Sequence, residues 1–156
     1  MNKIDKTFRA IEYLIIGIIC LLLVLIILLV STISYADTIT EDQAVHCILG
    51  EARGEGSNNA ERYASLLAHA EAIRNRGHLK GVYGCKASFD SEMGYLRTKG
   101  IIALAKQAWR DSRHSKSVKG AQFWGSLIVD KAWIARMERA GYVRTATVGR
   151  TAFYRE

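Results

Sequence analysis

The chain has 156 residues, of which 49% are hydrophobic, and a formal net charge of +7 at pH 7. This length predicts one domain, or one domain with an appendage. The lysines and arginines are spread along the chain and no nucleic-acid-binding motif accompanies them, so we expect no nucleic acid partner. The basic charge is compatible with an anionic polymer as partner, but by itself it assigns no function.

An apolar run without any charged residue extends from Tyr13 to Ala36. About 20 apolar residues suffice for a helix that crosses a bilayer. The basic residues that precede the run favour a cytoplasmic N-terminus. We therefore predict that the chain is anchored in a membrane through residues 13–33 and that everything after the anchor is exported.

A cleavable signal peptide is the alternative, because residues 34–36 (Ser-Tyr-Ala) place small side chains at the cleavage positions. The apolar core of a signal peptide usually spans roughly 7–15 residues, and this run is longer. Both interpretations give the same two parts. Residues 1–36 form a cytoplasmic tip with an anchor or signal peptide, and residues 37–156 form an exported domain.

Two of the three cysteines, Cys47 and Cys85, belong to the exported part, whereas Cys20 lies in the apolar run. In an oxidising compartment an even pair is compatible with a disulfide, which typically stabilises a fold by about 2–4 kcal/mol. Two separate buried thiols are equally compatible with the sequence. The spacing of cysteines and histidines is not typical of a zinc site, so we expect no metal and no cofactor.

Helical patterns follow the apolar run. Residues 40–43 (Thr-Glu-Asp-Gln) have the form of a capping box, and apolar residues behind it recur at helical spacing up to Ala52. A second helix is expected to begin at Asn58 and to end at Gly77. Residues 80–90 contain glycines and scattered apolar residues, which indicates a short extended or looped segment.

Two further helices and a hairpin complete the expected fold. The third helix fits residues 101–109, and Asp130 is a candidate cap for the fourth. Residues 142–154 alternate loosely around Gly149 and Arg150, which predicts a hairpin. We therefore expect a mainly α domain with a small β hairpin, an α+β fold.

Glu51 is the first candidate for chemistry. It lies four residues after Cys47 and three after Ile48, so it shares the apolar face of the first predicted helix. Apolar surroundings disfavour the charged form of a carboxyl group, which can then hold a proton near neutral pH and donate it. Cleavage of a glycosidic bond needs a general acid of this kind.

A structural ion pair is the alternative to catalysis. Glu51 or Glu55 could pair with Arg53 or Arg74. Structural ion pairs shift the pKa of an acid, as active sites do. If the chemistry requires a second carboxylate, the auxiliary candidates are Glu55 and Asp90. No metalloprotease or serine-hydrolase motif occurs in the chain.

Aromatic side chains are candidates for binding a sugar, because exposed rings stack on sugar faces. The alternative is that most of them fill the core. The five candidates for substrate binding are Tyr83, Phe89, Phe123, Trp124 and Tyr154.

Several ordered segments of the exported part resemble the SleB-type cell wall hydrolases, the spore-cortex-lytic family. Residues 50–55 (Gly-Glu-Ala-Arg-Gly-Glu) are similar to the signature block of that family. The other similar segments follow in the order of the family: residues 72–76, 81–83, 88–89, 120–124, 148–149 and 153–154. The closing motif of the family commonly carries a histidine where this chain has Thr151.

This resemblance implies a lysozyme-like or lytic-transglycosylase-like fold that cleaves peptidoglycan glycan strands, as a muramidase or a lytic transglycosylase, with Glu51 as the general acid. It places residues 37–156 on the extracytoplasmic side of a bacterial or phage-infected cell, either secreted or anchored to the membrane. The alternative is a non-catalytic, membrane-tethered module that binds glycans or serves as a scaffold. A weaker alternative is an exported part that only binds other proteins.

Overall fold

The computed structural model describes residues 15–24 and 39–156, and the first of these ranges is helical. The chain divides into two units, Met1–Asp37 and Thr38–Glu156. Among the described residues, no helix is both long and apolar enough to cross a membrane. The predicted anchor over residues 13–33 extends beyond the described residues at both ends, and the predicted cleavage site at residues 34–36 lies outside them.

Helix α1 (Glu41–Ala52) begins with the predicted capping box. Thr40 Oγ1 accepts from the Gln43 amide at 3.3 Å, and Gln43 Oε1 accepts from the Thr40 amide at 3.1 Å. This arrangement satisfies two amide groups that have no partner inside the helix. The apolar face of α1 is buried, as its spacing predicts, and contains Ala44, Val45, Cys47, Ile48, Leu49 and Ala52.

Helix α2 (Asn59–Arg76) is the central element of the domain. It begins where Asn58 Oδ1 accepts from the Glu61 amide at 2.9 Å and ends at Gly77 in the left-handed conformation, both as predicted. Leu66, Ala70 and Ile73 belong to the core that α2 shares with α1. Residues on other positions of α2 pack with Phe153 of the sheet, so α2 lies between α1 and the sheet.

Three short helical elements follow α2. A 3-10 helix (Tyr83–Lys86) occupies part of the segment expected to be extended or looped, and α3 (Met93–Thr98) comes next. The sequence did not predict α3, because six residues are too few to display a helical period. Helix α4 (Ile101–Asp111) covers the predicted third helix and continues two residues beyond it.

The sheet has three antiparallel strands in the order β1-β3-β2. The predicted hairpin is confirmed as β2 (Val143–Val148) and β3 (Thr151–Arg155), which flank the turn at residues 149–150. Strand β1 (Phe123–Ser126) pairs with β3 and was not predicted, because four residues are too few to show alternation. The domain is therefore mainly helical with a small sheet.

Helix α5 (Lys131–Arg139) follows β1 at the expected place. Asp130 is the N-cap residue, as predicted, but its Oδ2 accepts from the Ser126 amide at 2.8 Å instead of from an amide of the helix. The carboxylate stabilises the turn between β1 and α5.

A buried carboxylate on α2 forms hydrogen bonds with the segment that precedes β1. Glu71 is only 3% exposed, and its oxygens accept from the Ser117 amide at 2.8 Å and from the Val118 amide at 3.2 Å. The hydroxyl groups of Ser115 and Ser117 also donate to Glu71, at 2.6 Å and 2.8 Å. A buried charge needs several such donors, and here they fix the chain that leads into β1.

Candidate active site

The carboxyl group of Glu51 lies at the last turn of α1 and is half-buried. Its Oε1 accepts from the Gly84 amide at 2.6 Å, and its Oε2 accepts from Trp124 Nε1 at 3.1 Å. The two donors belong to the 3-10 helix and to β1. Because each carboxylate oxygen has two lone-pair directions, both oxygens keep one direction for a further partner.

Two glycines bring the 3-10 helix onto α1. A Cβ atom on Gly50 would lie 2.0 Å from the Gly84 carbonyl oxygen. A Cβ atom on Gly84 would lie 2.3 Å from the Cys47 carbonyl oxygen and 2.8 Å from Glu51 Cγ. Both positions therefore require glycine for reasons of space, and this close approach is what places the Gly84 amide on Glu51.

Cys47 and Cys85 are joined in a disulfide. Cys47 precedes Glu51 by one helical turn on α1, and Cys85 directly follows Gly84. The disulfide therefore links α1 to the 3-10 helix beside the hydrogen bond between Glu51 and Gly84. Of the two arrangements compatible with the sequence, the structure contains the bridge.

A cavity of about 370 Å³ adjoins Glu51. Tyr95 on α3 lines it and is 57% exposed, so part of its ring faces solvent. Tyr95 and Arg62 could not be selected from the sequence, because α3 was not predicted and helical spacing does not show which elements pack beside α2. The cavity is lined by Gly50, Glu51, Arg53, Gly54, Arg62, Glu92, Tyr95 and Leu96.

The ion pair in this cavity involves Glu92 and leaves Glu51 out. Arg53 donates to both oxygens of Glu92, at 2.9 Å and 3.2 Å, and these hydrogen bonds lower the pKa of Glu92. Arg74 instead donates to Ser112 Oγ and to the Trp109 carbonyl.

The ion-pair alternative for the helix end is therefore wrong for the residues that the structure describes. Arg53 and Arg74, its two proposed cations, are both engaged elsewhere. The N–H groups that hold Glu51 are neutral and carry no compensating charge.

Glu55 lies in a second cavity, of about 620 Å³, which it lines together with Gly149 and Arg150 of the hairpin turn. Its carboxylate accepts from Ser65 Oγ and, at 2.8 Å, from Thr151 Oγ1. Thr151, which the resemblance singled out, thus binds Glu55. Glu51 does not line this cavity, although Gly54 lines both cavities and the two are therefore adjacent.

Asp90, the other auxiliary candidate, is exposed and accepts from Ser88 Oγ at 3.2 Å. It lines neither the cavity at Glu51 nor the cavity at Glu55. We find no contact of Asp90 with Glu51 among the described hydrogen bonds.

The five aromatic candidates fall into different environments. Tyr83 is 80% exposed on the 3-10 helix, whereas Phe123 is half-buried. Phe89 and Tyr154 are only 3% and 0% exposed, so neither ring offers a free face to a sugar, and their selection is corrected. Both are core residues, because each ring packs in a buried hydrophobic cluster. Trp124 is half-buried and contributes its N–H group to Glu51.

Within residues 15–24 and 39–156, no group of three or more histidine, cysteine, aspartate or glutamate side chains is arranged to hold a metal ion. Comparisons of the chain with protein-family models, with curated proteins and with solved structures found no match. The family resemblance therefore rests on the ordered segments of the sequence alone.

Proposed function

We propose that the exported domain cleaves the glycan strands of peptidoglycan and that Glu51 is its general acid. The observation that carries the proposal is the environment of Glu51. Its carboxyl group lines a cavity, is held by neutral N–H donors on both oxygens and has no ion-pair partner among the described residues. An acid oriented in this way can transfer a proton to a bound substrate.

In the proposed reaction, Glu51 protonates the glycosidic oxygen as the bond from C1 of N-acetylmuramic acid breaks. The N–H groups of Gly84 and Trp124 then stabilise the carboxylate that this step leaves behind. The same carboxylate can take the proton from the C6 hydroxyl group of the muramoyl residue. The C6 oxygen attacks C1 and closes an anhydro ring. Glu51 has regained its proton from the C6 hydroxyl group, so the reaction consumes no water.

The surroundings of Glu51 favour this transglycosylase reaction over hydrolysis. A hydrolase needs a second carboxylate to activate water or to form a glycosyl intermediate. Glu92 is the other carboxylate that lines the cavity, and its ion pair with Arg53 turns both of its oxygens toward the guanidinium group. Glu55 lies in the second cavity and is bound by Ser65 and Thr151. We therefore propose an anhydro product.

Incubation of the full-length protein with purified peptidoglycan tests the proposal. Because general acid catalysis contributes about 10²–10⁴-fold, Glu51→Gln should reduce muropeptide release by about that factor. Amide and carboxyl groups have nearly the same shape, but the NH2 group of Gln cannot accept from an N–H donor, so the variant keeps one of the two hydrogen bonds and its thermal midpoint should fall while the protein stays folded. Undiminished release by Glu51→Gln, or no release by the parent protein, contradicts the catalytic assignment.

The auxiliary candidates supply the matched controls. Glu55→Gln and Asp90→Asn each remove one carboxylate outside the cavity at Glu51, so both variants should retain cleavage within about threefold. Mass spectrometry of the products then distinguishes the two reactions, since an anhydro end is one water lighter than a reducing end. A reducing end together with a loss of activity in Glu55→Gln or Asp90→Asn would indicate hydrolysis.

The non-catalytic alternative makes a different prediction. A membrane-tethered glycan-binding module would sediment with peptidoglycan and release nothing, and Glu51→Gln would leave the sedimented fraction unchanged. A protein-interaction module would neither sediment nor cleave. The same incubation, assayed for both bound protein and released fragments, separates the three functions.

A further inference from the structure

The Gly84 amide is held against Glu51 by an element that has little stability of its own. The 3-10 helix contains four residues and has no side-chain cap. Short 3-10 turns have poor hydrogen-bond geometry, and single turns are not stable in isolation. The position of Gly84 therefore depends on the contacts of this element with α1.

The Cys47–Cys85 disulfide supplies the covalent part of those contacts. Cys85 is the neighbour of Gly84, and Cys47 lies one turn before Glu51. The other contacts are the close approach of Gly50 and Gly84, which adds no side-chain packing of its own, and the packing of Val82 and Cys85 in the core that contains α1. The disulfide therefore joins α1 to the 3-10 helix directly beside the hydrogen bond between Gly84 and Glu51.

The disulfide can be reached by a reductant. A third cavity, of about 380 Å³, is lined by both cysteines and by His46. Cys85 is half-buried, whereas Cys47 is only 2% exposed. Attack by an external thiolate is therefore expected at the sulfur of Cys85.

We propose that the Cys47–Cys85 disulfide is a positioning element for Glu51, so that cleavage is efficient only while the two cysteines are oxidised. A dithiol reductant would break the S–S bond, give two thiols and leave as its own cyclic disulfide. The 3-10 helix would then move away from α1, and Glu51 Oε1 would lose the Gly84 amide. The proposal rests on the proposed function for its catalytic part, but the positioning contact can be measured without any activity.

The test uses the full-length protein carrying Cys20→Ser, which leaves Cys47 and Cys85 as the remaining cysteines. Hydrogen exchange at the Gly84 amide is compared before and after treatment with dithiothreitol. We expect exchange at Gly84 to accelerate by about tenfold or more, because local opening exposes an amide without global unfolding. The amide of Ala70, inside α2, should stay protected.

Kinetics on peptidoglycan give the second measurement. Reduction should lower kcat by about tenfold and leave KM nearly unchanged, since a hydrogen bond to the catalytic carboxylate is lost while the cavity remains. Reoxidation should restore kcat. The double variant Cys47→Ala/Cys85→Ala should show the low kcat with and without the reductant.

Two outcomes would overturn the proposal. In the first, the Gly84 amide exchanges at the same rate in both states. In the second, the Ala70 amide loses protection together with Gly84, which would show that the disulfide stabilises the whole fold and not specifically the position of Gly84. If Gly84 responds as expected and peptidoglycan is cleaved in neither state, the proposed function fails while the positioning contact stands.

Discussion

At the scale of single residues, the orientation of Glu51 depends on two N–H groups. The Gly84 amide is part of the backbone and only proline would remove it, whereas the indole N–H of Trp124 is removed by an ordinary side-chain substitution. Trp124 also packs against the ring of His69 in an edge-to-face arrangement, with centroids 5.8 Å apart, and this contact helps to fix the orientation of its indole. Trp124 is therefore a positioning residue for the proposed acid.

Trp124→Phe removes this N–H group and keeps an aromatic ring. Since a hydrogen bond to a charged group contributes about 1.5–3 kcal/mol, we expect kcat on peptidoglycan to fall by about tenfold or more, with a smaller change in KM. Trp133→Phe is the matched control, because Trp133 packs near Tyr154 and not at Glu51. Equal kcat values for the parent protein and Trp124→Phe would show that the indole N–H does not position Glu51.

At the scale of elements, the site depends on the distance between α1 and the 3-10 helix. Their backbones touch at Gly50 and Gly84, and no other residue type fits there without displacement. Gly50 thus has a steric role: because it lacks a side chain, the 3-10 helix that carries the Gly84 amide can approach α1. The glutamate beside it receives the hydrogen bond.

Gly84→Ala should separate these two elements. Its Cβ atom would meet Glu51 Cγ and the Cys47 carbonyl oxygen, so we expect a loss of about 1–3 kcal/mol in the free energy of unfolding, together with reduced cleavage. Gly94→Ala, in α3, is the control: its Cβ atom would meet nothing within 4 Å. That variant should be unchanged or more stable by up to about 1 kcal/mol. Urea denaturation measures the free energy of unfolding of both variants. Equal values for Gly84→Ala and Gly94→Ala would contradict the steric role of Gly84.

At the scale of the whole molecule, acid pH should weaken the fold at several places at once. Three glutamates have pKa values lowered from 4.5 because they accept hydrogen bonds: Glu41 from Arg110, Glu61 from Ser57 and Glu92 from Arg53. At acid pH the folded protein then binds fewer protons than the unfolded chain, so stability rises with pH in this range. The contribution is complete above about pH 4.5 and is lost as the pH falls through the lowered values.

We therefore expect the thermal midpoint of the domain to be nearly constant from pH 7 to about 5 and to decline below about pH 4.5. Added salt should reduce the stabilisation due to Glu41 and Glu92, because each is paired with a charged arginine and each pair is partly exposed to solvent. Calorimetry over the range from pH 7 to 3, at two salt concentrations, measures both effects. A midpoint that rises on acidification would contradict the assigned direction.

Much of the helical framework could be predicted from the sequence, because its signals are local. The caps at Thr40, Asn58 and Gly77 each involve partners within three or four residues, and all three are found as predicted. The short elements could not be predicted. The 3-10 helix, α3 and β1 are too brief to display a period, and they are stable here because of what they pack against.

That Glu51 belongs to the apolar side of α1 follows from local spacing, because helical periodicity from the Thr40 cap sets which residues share a face. The contacts of this acid depend instead on the packing of distant elements. Its donors, Gly84 and Trp124, are 33 and 73 residues away along the chain. Arg53, the neighbouring cation, pairs with Glu92 instead. Such contacts arise when distant elements pack together, so the sequence within a few residues of Glu51 does not predict them.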